Sequence, residues 1–95
     1  MAIEVRIPTI LRQYTDGAKA VEGSGDTLAQ LIADLETRHA GLRARLLDED
    51  NADQLRRFVN VYLNDEDVRF LDGVNTKVAD GDSVTILPAV AGGRV

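Results

Sequence analysis

The chain contains no cysteine. That absence excludes a disulfide scaffold, a cysteine zinc site, an iron–sulfur cluster and a thiol nucleophile, and it fits a reducing compartment. There is no tryptophan, and the four aromatic residues are Tyr14, Phe58, Tyr62 and Phe70, so aliphatic side chains must build the core. His39 is the single histidine, and no nucleophile or orienting acid beside it suggests catalysis. At the end of a helical pattern it reads as a surface or capping residue, with a partial positive charge that suits the helix dipole. No apolar run approaches the roughly 18 residues of a membrane helix. Met1-Ala2-Ile3-Glu4-Val5 has no basic segment followed by an apolar one, so no signal peptide is indicated and the expected location is the cytoplasm. Basic residues are scattered, with Arg56-Arg57 the one adjacent pair, so the stripe that would neutralise nucleic-acid phosphates is missing. The net charge of −5 suits a protein that meets basic partner surfaces.

What is present is enough for one small domain. Ninety-five residues bury roughly 60–65% of their unfolded surface in one modest core. Ile3, Val5 and Ile7 alternate with Glu4 and Arg6, the mark of a strand with one buried face, and Pro8 closes it. Residues 9–17 read as a loop ending in the Asp16-Gly17 turn, and residues 18–22 as a second, antiparallel strand. Thr27 and Gln30 make an S/T-x-x-Q capping box ahead of a helix whose apolar stripe is Leu28, Leu31, Ile32 and Leu35. Gly41 supplies a left-handed stop, and Leu42, Leu46 and Leu47 suggest one further helical turn. Residues 58–63 form a strand rich in β-formers, residues 64–67 a turn, residues 68–70 a short strand, and residues 83–87 a last strand closed by Pro88. A lone helix between hairpins must cover one face of a mixed sheet. First and last strands can then pair in the middle. The expectation is an α+β fold of the ubiquitin-like β-grasp type. It has a mixed four- to five-stranded sheet, one main helix, a domain over residues 1–88 and a flexible tail over 89–95.

Few residues carry chemistry. Gly23-Ser24-Gly25 stands between strand and helix, but Leu28 occupies the place of the third glycine of a dinucleotide-binding loop, so a tight connection is the better reading. The acidic loop from Asp48 to Asp53 fails the calcium-loop pattern, because Ala52 and Asp53 fall where an oxygen ligand and a glycine are needed. Asp65-Glu66-Asp67 reads as a solvated hairpin tip, and no metal site is expected. Pro8, Phe58, Tyr62 and Leu87 leave apolar surface that alternation does not bury, and they suit either further core contacts or a partner-docking patch. Gly92-Gly93 is the most informative feature. Two residues without side chains let a backbone thread a narrow channel into another protein's active site, with Ala91 leading into the pair.

Behind a β-grasp pattern, that diglycine makes the chain resemble the ThiS/MoaD sulfur-carrier family, most of all its CysO-type members of cysteine biosynthesis. The resemblance runs through residues 7–11, 25–28, 57–70 and 80–93, and the segment from Asp80 to Gly93 is the most specific. It implies a carrier that is a substrate of other enzymes and not an enzyme itself. It also implies that the chain binds no cofactor, while an E1-like enzyme spends ATP to adenylate the carboxylate of Gly93. A sulfur donor then displaces AMP to leave a thiocarboxylate, which a pyridoxal-phosphate-dependent cysteine synthase consumes. A JAMM-type metalloprotease releases the product. Here Arg94-Val95 follows Gly93, so cleavage between Gly93 and Arg94 is expected before activation. Delivery of sulfur to molybdopterin, thiamin or a secondary metabolite, and a ubiquitin-like protein modifier, are the alternative readings.

Overall fold

The computed structural model describes residues 2–47, 54–56 and 59–88. Five strands form one sheet: β1 (Ile3–Arg6), β2 (Ala20–Gly23), β3 (Val59–Leu63), β4 (Glu66–Asp67) and β5 (Ser83–Pro88). Two helices, α1 (Leu28–Arg38) and α2 (Leu42–Leu46), join β2 to β3. The spatial order is β2-β1-β5-β3-β4. β1 and β5 run parallel, with Val5 opposite Val84 and Arg6 opposite Thr85, and the other pairs are antiparallel. The first and last strands thus meet in the middle, as the β-grasp expectation required.

Strand alternation sets the two faces. Ile3, Val5, Val61, Val84 and Ile86 turn inward and are at most 3% exposed. Leu28, Leu31, Ile32 and Leu35 of α1 bury themselves against them. Taking such a side chain out of water contributes about 1.5–3 kcal/mol each. The helix begins as its capping residues dictate. Thr27 accepts the Gln30 N–H at 3.2 Å, while the Gln30 side chain accepts the Asp26 N–H at 2.8 Å, one residue before the helix cap. Gly25 accounts for the glycines ahead of the helix, because an added Cβ would stand 2.7 Å from the Leu31 backbone nitrogen. The connection is tight, and no phosphate cradle is needed to explain it. After α1, Gly41 takes a left-handed φ of 96° and starts α2, which adds Leu42 and Leu46 to the core.

Three details depart from the sequence reading. Residues 9–15, expected as loop, form a 3-10 helix that buries Leu11 and Thr15. The second strand starts at Ala20 and runs to Gly23. Residues 68–70 are a 3-10 turn and not a strand. The cause lies just before them. Asn64 and Asp65 have φ of 50° and 74°, so they make a two-residue hairpin turn that places β4 at Glu66–Asp67. The Asp67 carboxylate then accepts the Arg69 N–H at 2.9 Å and bends the chain out of the sheet. The acidic segment 48–53 lies outside the described residues. Among the described residues no cluster suits a metal ion, and no helix is long and apolar enough to cross a membrane.

Candidate functional site

β5 occupies the middle of the sheet, so the chain after Pro88 leaves from the centre of one sheet end. At that end β1 passes into Pro8, since β1 and β5 are parallel and in register. Ala91, Gly92, Gly93 and Arg94, which carry the expected threading, activation and processing roles, lie outside the described residues, as does Phe58. The structure does place the other candidate docking residues. Pro8 is half-buried and Leu87 is 44% exposed, and both line the same hollow of ≈ 300 Å³ beside the β5 end. Tyr62 is half-buried on the sheet face opposite α1, directly across from Thr85. Asn60 lies across from Leu87, so Tyr62 and Leu87 are diagonal neighbours on that open face.

Residues outside that set join Pro8 and Leu87 in lining the hollow. Ile10, 63% exposed, stands on the 3-10 helix between Pro8 and Leu11. Tyr14, on the same helix, packs on the core edge and accepts a 2.7 Å hydrogen bond from Arg45 Nε of α2. The guanidinium carbon of Arg45 also lies 5.5 Å from the Tyr14 ring centroid, within cation–π range. Ile10, Leu11 and Tyr14 give a short apolar spacing after Pro8 that could have marked this wall, but a proline and a turn on either side favour a loop reading.

On the open face, neighbouring rows differ in charge. Glu4 pairs across from Glu22 and Ser83, and the next row on this face holds Arg6 with Ala20 and Thr85. Beyond β3, Arg69 Nη1 donates to Asn60 Oδ1 at 2.6 Å and Nη2 to the Arg56 carbonyl at 2.7 Å, which fixes the edge near Leu87. At the far end, Asn64 Oδ1 accepts the Ser83 N–H at 3.0 Å and the Asn64 amide donates to Asp82 at 3.1 Å, tying the hairpin to the start of β5. His39 is the C-terminal cap of α1, with its N–H donated to the Leu35 carbonyl at 2.8 Å. What the arrangement offers chemically is a strand end held in the middle of the sheet, with apolar and cationic side chains lining the hollows beside it.

The sequence model of the ThiS family matches residues 5–93. The chain is 59% identical over 93 residues to the sulfur carrier protein CysO of Mycobacterium tuberculosis, covering 98% of this chain and all of that protein. The crystal structure of Mycobacterium tuberculosis CysO superposes with a TM-score of 0.90 at 58% identity, covering 93% of this chain and 99% of that one. The carrier in the Amycolatopsis orientalis BexX/CysO complex superposes with a TM-score of 0.88 at 58% identity, covering 97% of this chain and all of that one.

Proposed function

The chain belongs to the ThiS family, and from that premise we propose that it is a sulfur carrier whose Gly93 bears the sulfur, with cysteine biosynthesis as its pathway. The observation that carries the reading is where the family match stops. It ends at residue 93, on the second glycine, and leaves Arg94 outside. Gly93 is joined to Arg94 by an amide bond, and an amide carbonyl has no free oxygen to adenylate. Hydrolysis between Gly93 and Arg94, by a JAMM-type metalloprotease in this reading, frees the carboxylate.

A carboxylate is a poor acyl donor because its charge is delocalised and oxide does not leave. An E1-like partner solves this with ATP. The Gly93 carboxylate oxygen attacks the α-phosphorus and pyrophosphate departs, leaving an acyl-adenylate. A sulfide-level donor then attacks the acyl carbon, AMP leaves with the bridging oxygen, and a thiocarboxylate remains. Its sulfur passes to an acceptor held by a pyridoxal-phosphate-dependent cysteine synthase. Throughout, this chain supplies the carried group and the docking surface, and Gly92 and Ala91 keep the thread slim enough to pass into each partner. ATP binds the activating partner and not the carrier.

Intact mass of the protein isolated from its native host tests the reading. The expected species ends at Gly93 and is heavier than the plain acid by the difference between sulfur and oxygen. A population that retains Arg94 under sulfur demand would sink it. Conjugates through Gly93 to lysines of other proteins would move the assignment to a protein modifier.

A further inference from the structure

The chain as a whole is acidic, yet a hollow beside the end of β5 is lined mainly by cationic side chains. Arg6, Arg12 and Lys19 converge on one hollow that reaches Thr85 and Leu87. The fold brings them there from three different elements. Arg6 is the last residue of β1 and points to the open face, opposite Ala20. Lys19 precedes β2, where its carbonyl accepts the Ile7 N–H at 2.8 Å. Arg12, on the 3-10 helix, donates from Nε to the Ile7 carbonyl at 3.1 Å. All three cluster around the Ile7-Pro8 corner, beside the last inward residue of β5. None of them makes an ion pair with a described carboxylate, so their charges are not internally neutralised.

Among the described residues the one carboxylate lining this hollow is Glu4, at the rim away from Leu87. Asp65, Asp80 and Asp82 stand at the opposite end, around the start of β5. Arg45 and Arg56 border the neighbouring hollow, which shares Pro8 and Leu87. In sequence they flank a segment with four carboxylates, which leaves Arg6, Arg12 and Lys19 as the cationic group. Asp16, exposed on the turn between the 3-10 helix and Lys19, falls between Arg12 and Lys19 in sequence, and it does not line the hollow. Among the described residues the hollow beside the end of β5 is therefore mainly cationic, and a partner that takes the chain beyond Pro88 approaches it.

We propose that Arg6, Arg12 and Lys19 form a cationic collar at the root of the tail that recognises a partner protein whose tail channel opens through a rim of carboxylates. This deepens, and as a partner interaction rests on, the carrier reading. Charges of this kind steer encounter and orient the approaching surface more than they add to final affinity. The collar selects which end of an acidic molecule enters first: the acidic far end is repelled by the same rim that attracts Arg6 and Lys19.

Two measurements test it. The first needs no knowledge of the partner. A short polyglutamate peptide is titrated into the isotope-labelled protein at low salt and followed by amide NMR. Shifts confined to the neighbourhood of Arg6, Arg12 and Lys19 are expected. They should vanish as salt rises from about 0.01 M to about 1 M, where the screening length contracts from roughly 30 Å to 3 Å. Shifts that are absent, or spread evenly over the surface, overturn the collar. The second uses the host's E1-like enzyme and the chain ending at Gly93, read by ATP–pyrophosphate exchange. Combining Arg6→Glu with Lys19→Glu should raise KM about tenfold or more at low salt with kcat little changed, and the difference should shrink at high salt. Lys77→Glu, an exposed charge reversal on the far side near Thr27, should change KM less than about twofold. An unchanged KM in the double variant overturns the collar. If the native chain itself supports no exchange while the peptide still localises, the carrier reading fails and the collar stands as an acidic-surface dock.

Discussion

At Gly25 an added Cβ would stand 2.7 Å from the Leu31 backbone nitrogen and 2.9 Å from the Gln30 carbonyl carbon. Neither atom can move without disturbing the first turn of α1. Gly25→Ala should therefore cost about 1–3 kcal/mol in urea unfolding, the usual range for forced overpacking. A loss below a few tenths would mean that the turn relaxes freely. Glu36 is a second site where one side chain organises backbone. Its carboxylate accepts the N–H groups of Arg43 at 2.9 Å and Gly41 at 3.1 Å, which joins α1 to the start of α2. The hydrogen bond from the Arg43 backbone, then that from Gly41, holds the carboxyl below its ordinary pKa. A group whose folded pKa is depressed contributes stability above its unfolded value, and that stability fades as pH falls through the folded one. Stability should thus decline as pH drops below about 4.3, the ordinary glutamate value. Glu36→Gln should be less stable at neutral pH and lose less on acidification. Parallel acid profiles for the two proteins would remove Glu36 from the account.

At the scale of elements, β1, α1, β3 and β5 were legible because their periods are clean. Ile3-Val5-Ile7 keeps the strand period, and Leu28-Leu31-Ile32-Leu35 keeps the helical one. β4 and the turn after it were not legible in the same way. Val68-Arg69-Phe70 has strand composition, but the Asp67 side chain competes for the Arg69 N–H and takes it out of any ladder. Phe70 is left 87% exposed as a result. Register also creates what composition cannot show. Glu4 and Glu22 face each other across β1 and β2, two like charges in direct opposition. Glu22→Lys should turn that repulsion into attraction and stabilise the protein by about 0.2–1 kcal/mol in thermal or chemical unfolding. An unchanged or lowered stability would show that solvent already screens the pair.

At the scale of the whole molecule, the family was readable from the Gly92-Gly93 pair behind a β-grasp pattern, while the charge around the end of β5 was not. Counting charges gives an acidic chain suited to basic partners. Only the parallel pairing of β1 with β5 brings Arg6 and the Ile7-Pro8 corner, with Arg12 and Lys19, alongside the tail root. The same architecture separates stability from reach. Every buried hydrophobic residue of the described core lies between Ile3 and Ile86, ahead of the tail. From Pro88 to Gly93 the five residues span at most about 17 Å when extended. Deleting Ala89 and Val90 from the chain ending at Gly93 removes about 7 Å of that span. The acyl carbon would then stop short of the adenylating centre, and misplacement by even about 1 Å can cost about a hundredfold in rate. The shortened protein should keep its melting temperature within a degree or two, since the described core from Ile3 to Ile86 is left intact, while adenylation falls by about a hundredfold or more. Calorimetry and pyrophosphate exchange on the same preparation check both halves. Normal exchange from the shortened tail would show that the partner reaches out to the carrier. A large drop in melting temperature would show that the segment after Pro88 packs on the domain and is not a free thread.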